Sequence, residues 1–307
     1  MQLPTAVLMV RPASFGFNPD TAPSFMFQRE TTEVNRKEIE RRARMEFDIL
    51  AGRLREAGAE VIIVEDKEDL NTPDAVFPNN WISFHHDGTV VLYPMMAPSR
   101  RPERRRDIIE KLEQKGFRVS RVLDLTHHEN QERFLEGTGS TVFDHADHVA
   151  YANLSPRTNE DVLKELCETL GYTPVTFHAV QESGNPILHT DMMMSIGDRF
   201  VICCSDSIAD AGERKRVLDR IKASGREIIP IDSKQAEHFA GNVLQIQTKN
   251  DRTALVISTS ACLALRPDQR DALQRFTQIV ESPLPVFEGI GRGSARGMMA
   301  DVHLPRR

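Results

Sequence analysis

Four amphipathic, helix-like segments of this chain each end in a glycine and run straight into a short apolar strand: LREAGAEVIIV, LEQKGFRVSRV, CETLGYTPVTF and IKASGREIIPI. A glycine just past a helix C-terminus supplies a left-handed turn, a conformation that residues with a Cβ enter only at a cost. The four glycines, Gly58, Gly116, Gly171 and Gly225, lie 58, 55 and 54 residues apart. A fifth helix-like run, PDQRDALQRFTQIVESPLPVF, breaks at Ser282-Pro283, 57 residues beyond Gly225. Two strand-like runs rich in Val, Ile, Phe and Thr precede every helix except the first, as in AVFPNNWISF then TVVLYP, and ILHTDMMMSIG then RFVICCS. The unit therefore reads strand, strand, helix, strand.

One such unit has too little apolar face to bury by itself, whereas repetition around an axis covers those faces and leaves few open edges. The period predicts an α/β fold, a five-fold pseudosymmetric propeller, with residues 1–307 as a single domain. A doubly wound parallel sheet would need strict strand–helix alternation and a glycine-rich phosphate loop. The nearest candidate, GTGS at residues 137–140, lacks that spacing.

Charge and composition narrow the partners. Lys+Arg 39 against Asp+Glu 45 gives a net charge of −6, so no whole-chain cationic field favours nucleic acid or an anionic membrane. No run approaches the roughly 18 apolar residues of a membrane span, and the start MQLPTAVLMVRPAS has no basic region followed by a long apolar stretch. The expected setting is the cytoplasm and the expected partner a small molecule. Cys167, Cys203, Cys204 and Cys262 sit in apolar segments without metal or disulfide spacing and read as buried free thiols. The pairs His85-His86, His127-His128 and His145 with His148 read as surface histidines, and neither a metal nor another cofactor is expected. The run Ser99–Arg106 reads as a solvated basic face opening a helix.

A second periodic signal is polar. Asn80 in DAVFPNNW, Glu136 in FLEGTGS, His189 and Asp191 in ILHTDMMMSIG, and Asn242 in FAGNVLQIQ recur at steps of 56, 53 and 53, and GRGSARGMMADV follows near the end. In a ring these groups converge on one central cavity, where their desolvation is costly unless it serves a site. Taken singly, His189 fits a core histidine, Glu136 a cap for the GTG loop, and the asparagines turns. Independent structural residues need not share a period.

The motifs MVRPASFGFN, FPNNWISFH, LEGTGS, HTDMMMSIG, LSPRTN and GSAR, in this order and spacing, resemble the guanidine-modifying, or pentein, superfamily. That group includes arginine deiminases, dimethylarginine dimethylaminohydrolases, amidinotransferases and citrulline-utilization hydrolases. DAVF and LSPRTN are similar to dimethylargininase segments, and the others look most like the citrulline-utilization branch. The resemblance implies hydrolysis of a ureido or guanidino C–N bond of a citrulline- or arginine-like amino acid through a cysteine thiolate. His189 would be the acid/base and Glu136 its orienting carboxylate. Asp191, two residues beyond His189, would face the same side of a strand. Asp74 and Phe77 of DAVF, Asn80, Arg157 and Asp191 would contact substrate, with Arg157 on the α-carboxylate and Asp74 near the α-amino group. A homodimer is implied by the resemblance alone.

Two positions depart from the pattern. Asn80 stands where arginine-acting relatives place a carboxylate, and an amide that donates suits a neutral ureido oxygen better than a cation. Gly297 stands where the nucleophilic cysteine is expected directly after SAR. The alternatives are then a hydrolase scaffold lacking its thiol, an inactive amino-acid-binding protein, or an amidinotransferase relative. Arg292, where relatives tend to carry glycine, would stand at the entrance.

Overall fold

The computed structural model describes residues 2–21 and 33–307. The chain opens with strand β1 (Ala6–Arg11), helix α1 (Glu33–Glu56) and strand β2 (Glu60–Glu65). Next come β3 (Ile82–Phe84), β4 (Thr89–Leu92), α2 (Asp107–Gln114) and β5 (Arg121–Asp124). A single helical turn, α3 (Gly137–Ser140), introduces β6 (Thr141–Asp144), β7 (Val149–Asn153), α4 (Glu160–Leu170) and β8 (Thr173–Phe177). Then follow β9 (Met194–Ile196), β10 (Phe200–Cys203), α5 (Ala211–Ala223) and β11 (Glu227–Pro230). After the short α6 (Ser233–Glu237) the chain forms β12 (Leu244–Gln247), β13 (Thr253–Ser258), α7 (Thr259–Ala264), α8 (Pro267–Gln274), β14 (Gln278–Ser282) and finally β15 (Ala300–Val302).

One connectivity recurs. A first strand lies antiparallel to a second, and a third, reached through a helix, lies parallel to the second: β3-β4-β5, β6-β7-β8, β9-β10-β11, β12-β13-β14 and β15-β1-β2. The parallel step requires a crossover, which the helix provides. The unit at the start of the chain takes its first strand, β15, from the far end. This is why the sequence has two strand-like runs before every helix but the first. Pairing of Val302 with Phe84 joins two units into a six-stranded sheet, β2-β1-β15-β3-β4-β5. The other three sheets have three strands, and no sheet among the described residues closes on itself.

The four glycines act as their placement predicts. Gly58, Gly116, Gly171 and Gly225 have φ of +88°, +86°, +74° and +75°. After three of them the next amide turns back into the helix: Ala59 N–H to Leu54 O, Phe117 N–H to Leu112 O, and Tyr172 N–H to Cys167 O. Helix α4 begins at Asn159, whose side chain accepts from the Asp161 and Val162 amides, and it buries Val162, Leu163, Leu166 and Cys167. Each of the three larger aliphatic side chains contributes about 1.5–3 kcal/mol by leaving water. The second strands are buried along almost their whole length, since sheet neighbours flank them and other layers cover both faces.

Two element readings need correction. Helix α8 ends at Gln274, and Ser282-Pro283 terminates strand β14 rather than a helix. The residues at 275–277 supply the helix-to-strand turn without a glycine, because Arg275 stays in the right-handed region. In the run AVFPNNWISF only the last three residues form a strand, and a 3-10 turn, Pro78–Asn80, precedes them. Pro78 has no amide hydrogen for a ladder, and it sits at the start of that turn.

Candidate active site

Every first strand is preceded by a turn, and those turns carry the periodic polar residues. Asn80 closes the turn before β3, Glu136 immediately precedes α3 and β6, His189 and Asp191 flank Thr190 before β9, Asn242 precedes β12, and Gly297 precedes β15. One pocket is lined by Asp74, Phe77, Asn79, Asn80, Arg100, Arg157, His189, Asp191, Asn242, Arg292, Ser294 and Gly297, among others. Asp191 reaches the pocket from a 3-10 turn, Thr190–Met192, and not from a strand as its spacing suggested. The tight turn lets both His189 and Asp191 face one cavity without strand alternation.

Glu136 organises the site. It is fully buried, its Oε2 lies 2.7 Å from His189 Nε2, and the same oxygen accepts from Arg157 Nη1 at 3.0 Å. Its Oε1 accepts the Met96 amide at 3.1 Å. It does not cap α3 with its side chain. Burial alone would push this carboxyl up, but the charges of Arg157, His189 and Arg100 outweigh burial and hold it well below the usual carboxylate range. An ionised Glu136 accepts from His189 Nε2–H and leaves Nδ1 as the ring nitrogen for proton transfer. The mount is rigid: Thr190 Oγ1 donates to Ser140 O and accepts the Asn153 amide, while Ser140 Oγ donates to Arg157 O.

Close backbone approach depends on two glycines of the GTGS turn. Gly137 has φ +52°, and a Cβ there would lie 2.1 Å from Asn79 O. A Cβ on Gly139 would lie 2.4 Å from Asn80 Nδ2 and 3.4 Å from His189 Cγ. These glycines therefore seat the Asn79-Asn80 turn and the imidazole against one another, which is a packing role and not a phosphate cradle.

Asp191, Asn79 and Asn242 form a second polar group in the pocket lining. Asn79 Nδ2 donates to Asp191 Oδ2 at 3.1 Å, and Asn242 Nδ2 donates to the Asp191 carbonyl at 3.2 Å. Burial raises the Asp191 carboxyl, with His189, Arg296 and the amides pulling the other way. The oxygens Asn79 Oδ1 and Asn242 Oδ1 are buried with no hydrogen-bond partner. Such groups mark where a bound ligand can donate.

Arg100 and Asn79 were missed by the reading of the sequence. The run at 99–106 is not wholly solvated: Arg100 and Glu103 are 3% exposed. Arg100 donates to both Glu103 oxygens and, at 2.7 Å, to Asn80 Oδ1. It lies 4.0 Å from Asp74, which accepts from Asn18 Nδ2 at 2.7 Å. The available signal was an opposite charge three residues on, which let one arginine of the run be neutralised indoors. Because Arg100 claims Oδ1, the Asn80 amide offers its NH2 group on its other side.

Gly297 lies in the pocket wall. A Cβ built on it would meet Phe77 Cδ1 at 3.1 Å, Ser294 O at 3.5 Å and Asn79 Oδ1 at 3.7 Å. Phe77 is itself packed against Gly291 and Gly293, and Arg292 between them is left-handed at φ +54°. All four cysteines are buried as free thiols, and none lines this pocket. Among the paired histidines, His85, His128 and His145 are buried, contrary to the surface reading, whereas His86, His127 and His148 are exposed. Their polar neighbours in sequence concealed the fact that they follow short buried strands or turns.

The chain is a mixed α/β protein with a buried carboxylate–imidazole pair beside its pocket, and its likeness to known proteins shows the family. The family model described as eukaryotic N,N dimethylarginine dimethylhydrolase matches residues 11–304, and the chain belongs to that family. No curated protein matches by sequence. The chain is similar in structure to a cysteine-to-serine mutant of the N-terminal domain of ArgZ, an arginine dihydrolase of the ornithine–ammonia cycle in cyanobacteria, bound to substrate. That likeness has TM-score 0.72 and 19% identity, and it covers 96% of each chain. It is similar to a cysteine-to-alanine mutant of AgrE in complex with L-arginine, with TM-score 0.74 and 21% identity over 99% of this chain but only 41% of AgrE. It is also similar to a cysteine-to-serine mutant of dimethylargininase from Pseudomonas aeruginosa complexed with citrulline, with TM-score 0.64 and 15% identity over 97% and 98% of the two chains. No helix among the described residues is long and apolar enough to cross a membrane.

Proposed function

We propose that the five units surround one axis as a pseudosymmetric propeller forming a single domain, and that the pocket at their turns binds a citrulline- or arginine-like amino acid. In this reading the site is that of a C–N hydrolase whose covalent nucleophile is missing at Gly297. Asp74 takes the α-amino end and Arg157, which lines the same pocket, the α-carboxylate, for which a guanidinium fork is suited. The side chain of the ligand runs past Phe77 toward Asn80 and Asp191. The donating side of Asn80 suits a ureido oxygen, and Asp191 suits guanidino or ureido N–H groups.

The observation that carries this reading is His189, held by the buried Glu136 and lining the same pocket as Gly297, where a Cβ meets only ordinary contacts except for a slight pressure on Phe77. A thiolate at position 297 would attack the guanidino or ureido carbon. His189 would protonate the departing nitrogen, and water would then cleave the thio-intermediate with His189 as base. The chain with glycine binds the ligand without that covalent step.

The test is Gly297→Cys, with Gly297→Ala as the control for filled space, assayed for ammonia release from citrulline and arginine and for dimethylamine release from dimethylarginine, beside calorimetric binding. Turnover by Gly297→Cys alone, at several orders of magnitude above the parent chain, is expected. Binding without turnover in Gly297→Cys would make the chain a binding protein only. Turnover by the parent chain would mean that the nucleophile has been wrongly placed.

A further inference from the structure

The first strands β3, β6 and β15 leave the pocket and end in a second polar cluster. Asn80, Glu136 and Gly297 precede these strands, while His85, His145 and His303 follow them, with Asp301 inside β15. Strands of three or four residues place the cluster roughly 10–14 Å from the pocket turns. His145, Asp301 and His303 are 5%, 7% and 4% exposed, and one ligand atom from each lies within 4.8 Å of the other two.

We propose that His145, Asp301 and His303 bind a zinc-class divalent cation that ties β6 to β15. These strands belong to different sheets, with no ladder between them. Two imidazole nitrogens and a carboxylate oxygen are the donor set of zinc and its first-row neighbours, not of magnesium or calcium.

The outer partners are those of a ligand set. His145 Nδ1 is held by the Tyr172 hydroxyl at 2.7 Å, which turns Nε2 toward the cluster. Arg296 Nη2 occupies Asp301 Oδ1 at 2.9 Å and leaves Oδ2, which lies 3.3 Å from His303 Nε2. His303 Nδ1 is buried without a hydrogen-bond partner, an unmet cost in a side chain only 1% exposed. His145 and Asp301, though not His303, also border a small polar cavity with Gln2, Gln245 and Arg296.

The test uses the whole chain stripped with a chelator and titrated with Zn²⁺ against a chromophoric competitor. One equivalent should bind, raise the melting temperature, and fall at least tenfold in affinity in His145→Gln and in His303→Gln. His127→Gln controls for the half-exposed His127, His128 and Glu165 group and should leave the affinity unchanged. Should the buried variants fail to fold, anomalous scattering from zinc-soaked crystals of the unaltered chain decides: a peak about 2.0–2.1 Å from His145 Nε2 supports the site. No stoichiometric binding, equal affinity in folded His145→Gln and His303→Gln, or a zinc peak only elsewhere overturns it.

Discussion

Replacing Arg157 by Ala should cost the protein stability before it costs ligand affinity. Treated as a surface residue, Arg157 would lose only a charged hydrogen bond to the ligand, about 1.5–3 kcal/mol of binding. The structure makes it 2% exposed and pairs it at 3.0 Å with a fully buried Glu136. Removing one member of a buried pair strands the other, at about 3–5 kcal/mol, a large part of the ~5–15 kcal/mol holding a typical domain together. Urea unfolding should therefore show a lower midpoint with an unchanged slope.

The pH dependence tests the cause. In the parent, Glu136 titrates below its unfolded value, so its contribution is present above that value and is lost only as pH falls through the lower folded one. Without Arg157 the largest remaining influence is burial, which drives the folded pKa upward and favours the protonated native state. The stability gap between the two proteins should then be widest above the raised carboxyl value of the variant and narrow as pH falls through it toward the unfolded carboxylate value. A midpoint shift equivalent to less than about 1 kcal/mol at neutral pH, or a gap independent of pH, would refute the reasoning, because either result lies outside the range for a stranded buried charge.

Two further outcomes follow from the site. Asn80→Asp keeps an oxygen for Arg100 and turns a second one to the pocket, so calorimetry should show the arginine-to-citrulline affinity ratio rising by about tenfold, or ~1.4 kcal/mol; an unchanged ratio would remove Asn80 from the specificity argument. Burial pushes the Cys167 and Cys203 thiols up to about 12. A thiol reagent near neutral pH should thus react slowly with the folded parent and rapidly with four groups in denaturant, while Gly297→Cys gains one fast thiol in the folded state.

What the sequence carried by itself was local and periodic. Gly58, Gly116, Gly171 and Gly225 announce helix ends because the left-handed conformation is a property of one residue and its neighbours, and a repeat of such signals survives without knowledge of any contact. The shared period of Asn80, Glu136, His189, Asp191 and Asn242 likewise marked the turns before the first strands, and all but Glu136 line one pocket, which Glu136 reaches through its bond to His189. Distance in space was settled elsewhere. That β15 completes the unit of β1 and β2 depends on a pairing across almost the whole chain, such as Ala6 with Val302, which no window of sequence contains. Arg100 within a basic run and His145 in a polar stretch look solvated until the fold brings up Asn80 and Asp74 for one, and Tyr172 and His303 for the other. Burial of a charged or titratable group is decided by partners that offset its desolvation, and those partners are assembled only by tertiary structure.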